Sequence, residues 1–343
     1  MVQRSSIIQE DLQNIAAADL PWDSLRGANV LVSGASGFIG GYLVDSLLFL
    51  NESLNLGISV YAMARNPEKL ARRFTHAQNR GDFVSVIQDI KFPWMSPVKI
   101  DLIIHAASEA SPKVYLQVPV DTIKTNTLGT MHLLELAKQH QAKFLFLSSG
   151  AVYGDSSEQV FSETSFGMLD PLHSRACYSE SKRLAETLCM AYWQQYQVHT
   201  LIARISHTYG PGLNLDDGRV FTDFIADVLS ERDIVIRGSG EDSRPFCYIT
   251  DMLRGLFSIV FKGDFGHAYN VGVDQELTIR ELAHLMIKIS GKNLKVIIKN
   301  EVRIDIRASG HFNLDKLKKL GWSSLLNPEQ GFSRMYRHYL LNS

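Results

Sequence analysis

The stretch that most constrains this chain is Asn29 to Leu50, NVLVSGASGFIGGYLVDSLLFL. Val30 to Val32 is a short apolar run suited to a buried strand. Gly34, Gly37 and Gly40 follow at three-residue spacing, and an apolar helical pattern comes next. That order predicts a strand, a tight turn and a helix start. Gly34 permits the sharp turn, Gly37 lets backbone approach a ligand, and Gly40 lets the helix lie close to the sheet. The free N–H groups of the helix start would face a pyrophosphate, so a dinucleotide is the expected occupant. Ser36, Phe38 and Ile39 complete the candidate phosphate-binding turn.

At 343 residues, with 45% apolar and 21% charged residues, the chain can build a full core in one large or two modest domains. Its formal charge of −1, without a long Lys/Arg block, gives no electrostatic reason to expect nucleic acid or an anionic membrane as partner. No apolar run approaches the roughly 18 residues that a membrane span needs, and the N-terminal residues lack a signal-peptide pattern. A cytoplasmic location is expected. Cys177, Cys189 and Cys247 are scattered with no C-x-x-C spacing, which argues against disulfides and zinc.

Along the chain, residues 1–25 read as a helical arm (Ser6 to Ala18) with no assigned chemistry. Strands are expected at Ile58 to Met63, Phe83 to Ile87, Asp101 to His105 and Phe144 to Leu147, and a helix at Thr122 to Lys138. Alternating strands and helices predict an α/β fold, a Rossmann-like doubly wound parallel sheet. In such folds an acidic residue after the second strand holds the adenosine ribose, whereas an Arg accommodates a 2′-phosphate. Ala64 stands at the acidic position and Arg65 follows, so NADP is expected over NAD. Alternatively, Arg65 stacks on adenine or faces solvent. His105 has no His or Cys at metal-ligand spacing and reads as structural, and no metal centre is expected.

Tyr178 and Lys182 stand four apart in a helical pattern, which puts both on one helix face. A phenol has an unperturbed pKa of about 10. It can exchange a proton near neutrality only if positive charge stabilises the phenolate, as the Lys182 ammonium and an oxidised nicotinamide would. Ser149, at the end of the fifth strand, would hold the substrate oxygen while hydride moves.

The glycine spacing, the SSGAVYG segment at 148–154 and the Tyr-x-x-x-Lys pair resemble the extended short-chain dehydrogenase/reductases, in their nucleotide-sugar epimerase/dehydratase branch. The likeness runs from about residue 28 to 322. Thr122 to Asn126, CYSESKRLAETL, ARISHTYGP, NLDDGRV and RPFCYITD look most like UDP-glucuronate decarboxylases and their relatives. The resemblance implies cofactor contacts at Asp89, Ile90, Ala106, Ala107 and Asn126, beside Tyr178 and Lys182. It places a sugar along Ser108 to Tyr115, and substrate contacts at Ser108, Ser149, Gly150 and Arg219. Arg244 and Arg307 would clamp the nucleotide diphosphate. His207, where relatives often carry Asn, is either a substrate contact or a loop filler.

One departure separates reactions. Decarboxylases and dehydratases of this branch generally place an acid just before V-Y-G, whereas Gly150 and Ala151 stand here and cannot move a proton. Carbonyl reduction or 4-epimerisation remains. With Arg65 taken as a sign of NADP, the expectation is a 4-ketoreductase of a nucleotide-linked 4-keto-6-deoxyhexose in deoxysugar and surface-polysaccharide biosynthesis. The alternative is an NAD-dependent nucleotide-sugar 4-epimerase. The expected domains are a Rossmann domain at 26–204, rejoined by 246–272, and an interleaved substrate lobe at 205–245 and 273–343. The family also implies a homodimer.

Overall fold

The computed structural model describes residues 5–299 and 311–342. Its centre is a seven-stranded parallel sheet. Five strands are β1 (Asn29–Ser33), β2 (Ser59–Ala64), β3 (Phe83–Ile87), β4 (Leu102–His105) and β5 (Lys143–Ser149). The spatial order is His267–Val271, Thr200–Ile205, β5, β4, β1, β2, β3. Strand order reverses at β1, and the crevice between the carboxyl ends of β1 and β4 is where such sheets take ligands.

Alternation along the strands assigns side chains to two separate cores. Val30, Val32, Val60, Ala62, Leu102, Ile104, Leu145 and Leu147 face one cluster, with Leu43, Val44 and Leu47 of the helix α2 (Phe38–Leu54) and Met252, Leu253 and Leu256 of the Ile249–Lys262 helix. Leu31, Tyr61, Met63, Ile103, Phe144 and Phe146 face the other, under Leu133 and Leu134 of the Pro119–His140 helix and Ala185 and Cys189 of the Ala176–Tyr196 helix. Burial on both faces explains why these strands read as continuous apolar runs.

A smaller α/β region follows, interleaved with the large sheet through the His267–Val271 strand. In it Ile234–Arg237 pairs in parallel with Val296–Lys299, and Ser243–Arg244 pairs antiparallel with Leu277–Thr278. The Ile279–Ser290 and Pro328–Leu340 helices each begin with a capping box, Thr278 with Glu281 and Asn327 with Gln330. Reciprocal capping satisfies N–H groups that the helix itself cannot.

The expected N-terminal helix is α1 (Ser6–Ala16), and it is tied down by charge. Asp11, fully buried, accepts hydrogen bonds from Tyr248 Oη (2.9 Å), Tyr42 Oη (3.3 Å) and Arg334 Nη2 (2.8 Å). Burial pushes the Asp11 carboxyl up to about 6 against the opposing pull of Arg334. Four segments therefore meet at one carboxylate. Removing one partner of a buried pair leaves the other uncompensated. Asp11→Ala should cost about 3 kcal/mol in urea unfolding; a loss below about 1 kcal/mol, the range of an exposed pair, would show the cluster to be incidental.

Candidate active site

The glycine turn has the geometry that its spacing predicts. Gly34 adopts φ +70°, and a Cβ there would lie 2.7 Å from the Ala107 backbone. A Cβ on Gly40 would lie 2.3 Å from the Gly34 carbonyl oxygen. β1, α2 and the Ala106-Ala107 turn are thus in backbone contact, which leaves a cradle that any side chain would fill. Gly37 is the N-cap of α2, and no side chain caps that helix start. Its first N–H groups, on Phe38, Ile39 and Gly40, are open to an anion. The residues present fit a dinucleotide pyrophosphate.

His105 is structural, as its isolation in sequence suggests. It is fully buried, and burial lowers its imidazole to about 3, so the ring is neutral. The Ala107 N–H donates to Ser33 Oγ at 3.3 Å, and Ser33 Oγ meets His105 Nδ1 at 2.8 Å. His105 Nε2 meets Thr130 Oγ1 at 3.1 Å, and Thr130 donates to the Asn126 carbonyl at 2.6 Å. This directional chain fixes the β4 turn against β1 and the Pro119–His140 helix.

Asn126 forms the next tie. Its side-chain oxygen accepts from Ser108 Oγ (2.8 Å), and its amide donates to Ser181 Oγ (2.9 Å). Ser181 Oγ in turn donates to the Cys177 carbonyl at 2.5 Å, with the Tyr178 carbonyl at 3.0 Å. Asn126 therefore joins the Ser108 loop to the helix turn that carries Tyr178.

Ser149, Tyr178 and Lys182 come together where β5 meets the Ala176–Tyr196 helix. The Ser149 hydroxyl stands close enough to Tyr178 to favour its phenolate. Tyr178 is partly buried, with Tyr115 stacked on its ring at 5.2 Å. Burial of the hydroxyl raises the phenol above its usual value, whereas the Ser149 hydroxyl and the Arg219 charge oppose that rise. Lys182 departs from expectation in its contact. Its Nζ donates to the Leu147 carbonyl at 2.8 Å and lies 6.0 Å from the centre of the Tyr178 ring. Burial lowers this lysine to about 7, with Glu186 opposing. Lys182 thus pins the end of β5.

The other candidate contact residues have protein neighbours of their own. Asp89 caps its own turn, accepting from the Lys91 N–H at 3.0 Å, and Ile90 packs into the space left by Gly129. Arg65 is not an open guanidinium: it pairs with Glu109 at 2.6 Å. Gly150 lies against the Phe312 ring, where an added Cβ would come within 2.6 Å. His207 is exposed at the start of a short strand, His207–Tyr209, with Phe246 6.1 Å away. Arg219 pairs with Asp217 at 3.3 Å, and the buried Arg244 pairs with Asp242 at 3.7 Å. Arg307 lies outside the described residues. The Ser108 to Tyr115 loop reaches the smaller region through Ser111 Oγ to the Asp217 carbonyl (2.7 Å) and Lys113 to Asp216 (2.8 Å).

Sequence reasoning did not single out Glu109, Phe312, Glu186 or Arg204. Beneath Ser149, Ser148 donates to Glu186 (2.5 Å), which pairs with Arg204 at 2.8 Å. Only the repeat of Glu186 four residues after Lys182 could have marked one of them. Among the described residues no cluster of His, Cys, Asp or Glu could hold a metal ion, and no helix is long and apolar enough to cross a membrane.

A glycine cradle for pyrophosphate beside a Ser-Tyr-Lys set defines a dinucleotide-dependent enzyme of the short-chain dehydrogenase/reductase kind. The chain belongs to the NAD dependent epimerase/dehydratase family, whose model matches residues 30–272. It is 34% identical over 313 residues to UDP-glucuronic acid decarboxylase 3 of Arabidopsis thaliana, covering 91% of this chain and 89% of the relative. It is 32% identical over 311 residues to UDP-glucuronic acid decarboxylase 1 of Xenopus tropicalis, covering 90% and 72%. Among solved structures, UDP-glucose 4-epimerase of Thermotoga maritima with UDP-glucose superposes with TM-score 0.79 at 25% identity, over 92% of this chain and 99% of that one. UDP-glucuronic acid 4-epimerase of Bacillus cereus, in complex with UDP-glucuronic acid and NAD, has the same fold, with TM-score 0.77 at 23% identity over 92% and 100%.

The low position of Lys182 carries a sign that can be measured. A lysine lowered to about 7 is neutral above that pH in the folded protein, whereas an ordinary lysine is charged up to about 10.4. Carbon-13 NMR of lysine ε-methylenes in the cofactor-free protein should show one resonance, absent in Lys182→Met, titrating near pH 7. A Lys182 midpoint above 9 would contradict the burial argument.

Proposed function

We propose that this protein is a nucleotide-sugar 4-epimerase working with NAD. The observation that carries the reading is the composition of the proton-handling set. Ser149 acts on the Tyr178 phenol, while the neighbouring Gly150 and Ala151 have nothing to ionise and Phe312 occupies the space beside Gly150. Elimination and decarboxylation call for an additional acid or base at that place, whereas epimerisation at one carbinol carbon does not. The engagement of Arg65 by Glu109 removes the main reason to prefer NADP, and retained NAD suits a cycle with no net redox change.

Bound NAD would accept hydride from the sugar C4 and return it to the opposite face. Ser149 Oγ holds the C4 oxygen by a hydrogen bond, and Tyr178 Oη takes that oxygen's proton as hydride leaves. For that step Tyr178 must enter as the phenolate, its own proton lost to solvent beforehand, and the Arg219 charge favours that form. Tyr178 then gives the proton back to the ketone oxygen after the sugar has turned over. Lys182 keeps the end of β5 in place through the Leu147 carbonyl, and Asn126 keeps the Tyr178 turn in place through Ser181. Arg219 and Arg244 would meet the diphosphate, a task for which the guanidinium fork is suited. Exposed apolar residues on the Pro119–His140 and Ala176–Tyr196 helices, among them Val120, Ile123, Leu128 and Leu184, support pairing of two copies through these helices. A second reading, an NADPH-dependent 4-ketoreductase, keeps support from Arg65 standing beside Ala64.

The purified protein, given UDP-glucose or UDP-glucuronic acid without a reductant, should form the C4 epimer, seen by proton NMR. Tyr178→Phe should lower turnover about a thousandfold with the fold unchanged. Stoichiometric NADPH oxidation with a UDP-4-keto sugar, and no epimer from the finished sugars, would replace this reading by the reductase; release of carbon dioxide from UDP-glucuronic acid would make the protein a decarboxylase. Light scattering should give twice the chain mass, and a monomer at micromolar concentration would exclude the pairing.

A further inference from the structure

Glu109 occupies a place that the linear order of the chain conceals. It stands four residues beyond the end of β4, whereas Arg65 stands one residue beyond the end of β2. β1 lies between these two strands. An ion pair between Arg65 and Glu109 at 2.6 Å must therefore cross the carboxyl end of β1, over the glycine turn. Gly34 sits against the Ala106-Ala107 backbone, so the turn and the root of the Glu109 loop are already in contact. The pair spans the β2 side of the crevice.

The charges around it are balanced. Arg65 also acts through space on Asp121, at the start of the Pro119–His140 helix. Lys91 is held by Asp121 at 2.8 Å and by Asp89 at 3.5 Å, and Lys124 also lies within electrostatic reach of Asp121. Arg65, Lys91 and Lys124 thus share this corner with Glu109, Asp89 and Asp121. A 2′-phosphate brings close to two negative charges, and here the guanidinium that would receive it already faces a carboxylate.

We propose that Glu109 is the residue that sets cofactor choice in this protein. Resting on the NAD-dependent reading above, it supplies from the β4 loop the carboxylate that Ala64 does not supply at the end of β2. Glu109 occupies Arg65, repels a 2′-phosphate by like charge, and leaves an unphosphorylated ribose unopposed. Arg65 by itself would impose the reverse preference. The discriminating unit is a pair joined across the sheet.

Wild-type protein, Glu109→Gln and the double variant Arg65→Gln/Glu109→Gln can each be equilibrated with equal excess of NAD and NADP. The nucleotides that stay with the protein are then separated by ion-exchange chromatography. Arg65 is exposed and Glu109 only partly buried, so the three proteins should melt within a few degrees of one another. Wild type should hold mainly NAD. Glu109→Gln should move the bound ratio about tenfold toward NADP, and the double variant should lose that gain. An unchanged ratio in Glu109→Gln, or wild type loaded mainly with NADP, overturns the role of Glu109 while leaving dinucleotide binding intact. Wild type that holds neither nucleotide overturns the cofactor reading and this inference together.

Discussion

The structure depends on a backbone contact that only glycine allows. At Gly34 and Gly40 the strand end, the helix start and the Ala107 turn approach within the space of a single Cβ. Everything with chemical potential lies around that contact. The helix start presents N–H groups because α2 begins there, and the β4 loop carries Ser108 and Glu109 past the crevice because its root is held against the turn. An alanine at either position would have to separate the layers, and the separation would pass through the Ser33–His105–Thr130 chain into the Pro119–His140 helix.

The catalytic group shows how packing converts a spacing into a function. Four residues between Tyr178 and Lys182 put both on one face, but their partners come from elsewhere. Ser149 arrives on β5, Tyr115 stacks from the β4 loop, and Arg219 acts from the smaller region. Burial alone would make the phenol a poorer acid. The Ser149 hydroxyl and the Arg219 charge oppose that effect, so the smaller region contributes to the electrostatics of the tyrosine as well as to substrate contact.

Reaction class in this family is read from small differences at a shared centre. The decarboxylase relatives and the epimerase structures share most of this chain's length. Gly150 and Ala151 have nothing to ionise, and Phe312 adds that the space beside Gly150 is filled. The pairing of Arg65 with Glu109 moves the cofactor argument from NADP toward NAD. Both contacts join residues far apart in the chain.

By itself the sequence determined the elements that local chemistry controls. Apolar runs made the five leading strands, glycine spacing made the turn, and helical periodicity put Tyr178 beside Lys182, because each pattern acts over a few residues of backbone. It also showed His105 to be isolated from any metal set. Tertiary structure decided which charges meet. Arg65 read as open because its partner lies 44 residues on, Lys182 read as a partner of the phenol although it bonds the Leu147 carbonyl, and Asp11 read as part of an arm without chemistry although it anchors Arg334. Ion pairs and burial depend on distances through space, and those distances are fixed only when the strand order is known.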